Sequence, residues 1–130
     1  MQYDGTVNGF PYFSQNDDRW NGIRYGGGNI GTSGCGPTAA AMIVKSYGFD
    51  VTPENTAKVF VNALGGYRTT EGPTCFSALQ NSPYNLTVQQ TRNINTVVES
   101  SKNGIPVVAN PQGPCDFTEH GHYVVLCGID

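Results

Sequence analysis

At 130 residues the chain is sized for one domain, 1–130, with a single core that buries roughly two-thirds of the unfolded surface. Charged residues are only 13% of it and the formal net charge is -3, so it lacks the basic footprint that phosphate backbones and anionic lipid surfaces require, and neither nucleic acid nor a membrane is expected as a partner. Its 17 Gly and 8 Pro make it loop-rich, while 38% hydrophobic and 11% aromatic content argue for a packed globule rather than a disordered chain.

The first twenty residues, MQYDGTVNGFPYFSQNDDRW, show neither the basic start nor the apolar stretch of a signal peptide. The longest apolar runs, AAAMIV and YVVLC, fall far short of the roughly 20 residues of a membrane-spanning helix. Residues 10–30 read as an extended arm with turns at Asn21-Gly22 and Gly26-Gly27-Gly28. A helix is expected from Cys35, with Pro37 in its first turn, the helix formers Ala39, Ala40, Ala41 and Met42 inside it, and Gly48 as its stop. Thr52 as N-cap, Pro53 and Glu54 open a second helix, in which Ala57, Phe60, Val61 and Leu64 share one face before Gly65-Gly66. A short helix over Pro73 to Gln80 and a strand over Asn85 to Gln90 are expected next. A third full helix should follow Asn93 as N-cap and end before Gly104. The β-branched runs at 105–110 and 122–129 then predict two buried strands joined by a loop. Helices first and strands last give an α+β class, with an N-terminal helix packed on a C-terminal antiparallel sheet.

That order has a chemical consequence. Unpaired N–H groups at a helix start favour an anion, a thiolate included, and Cys35 sits at such a start. The two histidines, His120 and His122, both lie in TEHGHYVVLCG, with His122 directly before an apolar strand and His120 in the loop. A cysteine nucleophile and its histidine base are typically distant in sequence and adjacent in the fold, which suits residues 35 and 122. The histidine would take the thiol proton and return one to the leaving amine. Cys75 and Cys127 lie in apolar stretches and read as core thiols, and Cys115 as a loop thiol. The four cysteines allow two disulfides in three pairings, and their spacing does not decide the compartment. A zinc set of His120, His122, Cys115 and Cys127 lacks any C-x-x-C pair, so no metal and no cofactor is expected. Phe13 and Trp20 read as core and Tyr12 with them, although all three could line a cleft.

FPYFSQNDDRW, YGGGNIGTSGCGPTAAAMIV, VTPENTA, GIPVVAN and FTEHGHYVVLCGID, taken together and in this order, resemble the papain-like cysteine peptidases of the C39-like family, found in bacterial surface proteins and phage lysins. The resemblance implies a papain-like fold, with Cys35 as nucleophile, His122 as base, and Gln15 of the S-Q-x-D motif joining the Cys35 N–H in an oxyanion hole. Each such donor is worth roughly 3 kcal/mol. The glycines beside Cys35 would leave room for a substrate backbone. In that family the chain continues past Gly-Ile-Asp into a further strand, whose Asp or Asn orients the histidine. Here the sequence stops at Asp130, so it is expected to be a fragment or to use a dyad. Among substitutes, Asp130 lies eight residues along an extended strand, roughly 26 Å from His122. Asn110 is a better placed candidate than Asp130 or Asp116.

The expected chemistry is thiol attack on an amide carbonyl, giving an acyl-enzyme that water resolves. The resemblance points to peptide substrates in peptidoglycan, and to an extracellular, cell-wall or phage-associated setting. Two other readings use the same residues: a non-catalytic module that binds peptide or cell wall, and an amidase or acyl transferase acting through the same thiolate.

Overall fold

In the structure, a computed structural model, residues 6–7, 10–25, 28–63, 76–89, 93–109 and 124–126 are described. In chain order they form β1 (Thr6–Val7), β2 (Phe10–Pro11), β3 (Arg24–Tyr25), β4 (Gly28–Asn29), α1 (Ile30–Ser33), α2 (Cys35–Ser46) and α3 (Pro53–Ala63). A 3-10 helix (Phe76–Gln80), α4 (Ile94–Lys102), β5 (Val107–Ala109) and β6 (Val124–Leu126) follow. The strands pair as three short antiparallel ladders: β1 with β2, β3 with β4, and β5 with β6. In the last of these Val107 faces Leu126, Val108 faces Val125 and Ala109 faces Val124. The chain is thus α+β, and no helix among the described residues is long and apolar enough to cross a membrane.

The core forms where α2 meets α3. Ala40, Ala41 and Val44 from α2 and Ala57, Phe60 and Val61 from α3 are buried together with Tyr25, Ile30 and Leu79. The small residues of α2 let the helices approach closely enough for Thr56 Oγ1 to donate to the Pro37 carbonyl at 2.6 Å. That bond satisfies a buried hydroxyl and fixes the register of the two helices. Phe60 continues the core toward the 3-10 helix through an edge-on contact with Phe76, their ring centroids 5.3 Å apart. α2 also lies against β2 and β6, so the N-terminal helix meets the C-terminal strand pair as the order of elements predicts.

The helix signals act largely as expected, with some exchanges of role. α2 ends where Gly48 takes φ +100 and returns its N–H to the Lys45 carbonyl at 2.9 Å, a conformation that disfavours a side chain. At α3 it is Asn55 whose Oδ1 reaches back to accept the Thr52 N–H at 2.8 Å, so the N3 side chain does the capping. Asn93 caps α4 by accepting from the Asn95 N–H at 2.9 Å. Residues 73–75, which open the expected short helix, and Leu64 lie outside the described residues.

Four expectations change. Residues 28–30, expected as the end of the extended arm, instead close the β3–β4 hairpin and open α1 (Ile30–Ser33), whose Asn29 and Thr32 form a reciprocal capping box. The strand expected over Asn85 to Gln90 does not form in the described residues 85–89. Asn85 takes φ 53, and Leu86 N–H and Val88 N–H turn back to the Leu79 carbonyl at 3.0 Å and Gln80 Oε1 at 3.2 Å, so the segment is spent on the 3-10 helix and not on a ladder. Val107 and Val108 of β5 are only partly buried, not fully buried as their apolar run suggested. Tyr12 is exposed, whereas Phe13 and Trp20 are core residues with their rings edge-on.

Before α1 the chain folds into a turn fastened by one carboxylate. Asp17 is 1% exposed, and its Oδ1 accepts from the Arg19 N–H at 2.9 Å and from Arg19 Nε at 3.0 Å, while Oδ2 accepts from Nη2 at 2.8 Å. Hydrogen bonds from the Arg19 side chain hold the Asp17 carboxyl at about 2, below its ordinary 3.8, against the opposing effect of burial. The native carboxylate therefore stays charged where the unfolded one, near 3.9, takes up a proton. Its stabilisation is full above about pH 4 and is lost as the pH falls toward about 2.

Asp17→Asn is expected to cost about 2 kcal/mol at neutral pH in urea unfolding, the scale of a charge-assisted bond lost from a buried group. The gap between wild type and variant should narrow as the pH falls from about 4 to about 2; a gap independent of pH would contradict this assignment.

Candidate active site

Gly34 separates α1 from α2. Its N–H donates to the Ile30 carbonyl at 2.8 Å, ending α1, and its own carbonyl accepts the Thr38 N–H at 3.0 Å, opening α2. Thr38 Oγ1 donates to that same carbonyl at 2.7 Å. Cys35 is therefore the first residue of a twelve-residue helix, where a backbone N–H has no partner in its own helix. It is a free thiol, partly exposed, while the three residues after it are buried.

Why a glycine precedes the cysteine is settled inside the chain. A Cβ on Gly34 would lie 2.5 Å from the Ile30 carbonyl oxygen and 2.7 Å from its Cγ2. The space at Gly34, expected to accommodate a substrate backbone, is taken by Ile30, itself fully buried. This glycine serves the tight junction that presents Cys35.

Gln15 reaches the same junction from the preceding turn. Its Nε2 donates to the Gly31 carbonyl at 3.0 Å, with a longer approach to the Ile30 carbonyl at 3.4 Å. A side-chain amide from residue 15 and the helix start at residue 35 are thereby brought to neighbouring turns of chain. Two main-chain bonds hold the segments together: Ile30 N–H to the Ile23 carbonyl and Gly31 N–H to the Asn21 carbonyl, both 2.9 Å. The S-Q-x-D motif marks Gln15 and contains Asp17, but not the pairing of Asp17 with Arg19 two residues on, before a buried tryptophan, which builds the turn.

Of the other candidates, His122, Asn110, His120, Cys75, Cys115, Cys127, Asp116 and Asp130 lie outside the described residues. One flank of two of them is described. Ala109 pairs with Val124 at one end of the β5–β6 ladder; in sequence, Asn110 is the residue after Ala109 and His122 lies two residues before Val124. Among the described residues no group of three His, Cys, Asp or Glu is placed to hold a metal ion.

Replacing Gly34 by Ala is expected to destabilise the fold by about 2–3 kcal/mol, since the added methyl meets backbone and not a movable side-chain end. Thermal unfolding checks this, and an unchanged melting temperature would show that the junction has slack.

No curated protein and no solved structure matches the chain. A family profile, that of the Peptidase_C39 like family, matches it over residues 7–130, a span that contains the α1–α2 junction, Gln15 and both strands of the C-terminal ladder. With nearly its whole length covered, the chain belongs to the Peptidase_C39 like family.

Proposed function

We propose that the protein is a cysteine peptidase of papain-like arrangement, with Cys35 as nucleophile and His122 as its base. The observation that carries this reading is the position of Cys35: a free, partly exposed thiol at the first residue of α2, on a helix that lies against β6. His122 precedes Val124 by two residues, so covalent geometry keeps its Cα within about 7 Å of the end of that strand. Family membership supports peptide hydrolysis as the reaction class.

In this reading His122 takes the Cys35 proton, and the sulfur attacks the carbonyl carbon of a peptide bond. Charge develops on the carbonyl oxygen, where the Cys35 N–H and one hydrogen of Gln15 Nε2 receive it. Nε2 carries two hydrogens and makes one good bond, at 3.0 Å to Gly31, while its 3.4 Å approach to Ile30 is too long to engage the second well. That leaves a donor for the oxyanion. His122 then protonates the leaving amine, and water resolves the thioester. Asn110 is proposed to orient His122, since Asn110 directly follows Ala109 and His122 closely precedes Val124, the pair that ends one ladder.

The substrate is proposed to be a peptide of peptidoglycan, in a cell-wall or phage-associated setting. The support is the likeness of its motifs to those of surface proteins and phage lysins, and a charge content of 13%, which fits work on a substrate that is not captured electrostatically.

Iodoacetamide labelling with peptide mapping at about pH 6 tests the nucleophile, because an ordinary thiol with pKa near 8.5 is almost wholly protonated there. Cys35 should be modified selectively and this selectivity should vanish in His122→Ala. Equal sluggishness of all four cysteines would sink the proposal. Loss of turbidity in suspended Gram-positive cell walls, abolished in Cys35→Ala, is the expected result for the substrate; no clearing by the wild type would remove the peptidoglycan assignment.

A further inference from the structure

Gln15 is held from two directions. Its amide meets the α1 carbonyls, and the residue before it is pinned by the turn that follows. The Ser14 carbonyl accepts from Trp20 Nε1 at 2.8 Å and from the Asp17 N–H at 3.2 Å. The Asp17 carbonyl in turn accepts from the Trp20 N–H at 3.1 Å and the Asn21 N–H at 2.9 Å. Trp20 is 2% exposed and wedged edge-on against Phe13, so the indole that holds Ser14 has no room to swing. The Arg19 guanidinium lies 4.5 Å from the Trp20 ring centroid while it grips both carboxylate oxygens of Asp17.

Apart from the Gln15 amide's own bonds to α1, these contacts end on Asp17 or on a residue hydrogen-bonded to it. A buried carboxylate is a costly way to close a surface turn unless its position matters. We infer that Asp17 is a positioning residue for Gln15, its Arg19-clamped carboxylate locking the Ser14–Asn21 turn so that the Gln15 amide stays at the α1–α2 junction beside Cys35. The inference rests on the reading of Gln15 as an oxyanion donor. A hydrogen bond weakens steeply with distance and angle, so a shift of this turn by a fraction of an ångström changes transition-state stabilisation before it changes anything else.

The test needs a reaction at Cys35 that passes through an oxyanion and one that does not. With p-nitrophenyl acetate, the sulfur attacks the acetyl carbonyl, a tetrahedral oxyanion forms, the bond to p-nitrophenolate breaks, and acetyl remains as a thioester; the thiol proton passes to His122. With iodoacetamide the sulfur displaces iodide from a saturated carbon, with no oxyanion on the path. Both rates are measured on the full chain, with Cys35→Ala as the blank. Gln15→Ala should slow acylation about 100-fold. Asp17→Asn should slow it about 10-fold while leaving alkylation within about 2-fold, and the double variant should be no slower than Gln15→Ala alone, the signature of one residue acting through another. Arg19→Lys, which keeps the charge but loses the fork, should fall between wild type and Asp17→Asn, and it carries the test alone if circular dichroism shows Asp17→Asn to be unfolded.

An equal loss in both reactions, or losses that multiply in the double variant, would overturn the positioning role. Acylation that depends on Gln15 but is untouched by Asp17→Asn and Arg19→Lys would overturn it while leaving the catalytic reading intact. A wild type that Cys35 labelling shows to be inert toward the ester would instead remove the catalytic reading, and this inference with it.

Discussion

The close approach of Gly34 to Ile30 decides how this chain presents its chemistry. The Ile30 carbonyl is both the last acceptor of α1 and the atom nearest to where a side chain on Gly34 would go. A four-residue helix therefore stops, and a new one starts, within a single residue. Ile30 is anchored in the core, so the junction is built from the inside outward. Cys35 comes next, partly exposed, while the residues that follow it turn inward against α3. A sharp stop and a buried continuation together leave the thiol at a helix start, where its N–H has no partner within that helix.

Around that junction the polar contacts form one connected set. Gln15 reads the carbonyls of Ile30 and Gly31, Asn21 and Ile23 receive the N–H groups of the same two residues, and Asp17 ties the turn that carries Gln15 and Asn21. The ionised carboxylate is nearly dry and closely paired, a combination whose cost is recovered only when its geometry is well satisfied. Precise placement of a neutral amide donor is one use of such rigidity, because hydrogen bonds to a developing oxyanion act only over a narrow range of distance.

Much of this was legible from residue types alone. Pro37, the alanines and Gly48 mark α2, and Asn93 marks α4, because caps, stops and helix formers act within a few residues of themselves. The 3.6-residue spacing of Ala57, Phe60 and Val61 marks α3 for the same reason. What was not legible depends on tertiary contacts. α1 is too short for periodicity to show, and only its Asn29–Thr32 capping box signals it. Residues 85–89 have strand composition, but their N–H groups find partners on the 3-10 helix first. The purpose of Gly34 required Ile30, four residues away but brought back by a turn, and the role of Asp17 required the bonds of Ser14, Arg19 and Trp20 to be seen at once. Cys35 and Gln15 were marked by motif, whereas the seating of the Gln15 amide on the α1 carbonyls could come only from the fold.

The central claim is that Cys35 and His122 form one acid–base pair. The most direct measurement is the NMR titration of the two histidine rings in wild type and in Cys35→Ala, with His120 as an internal control. A thiolate beside an imidazolium stabilises the charged ring, so removing the sulfur should move the His122 titration to lower pH and leave that of His120 in place. A His122 titration that is the same with and without the Cys35 sulfur would contradict the pairing.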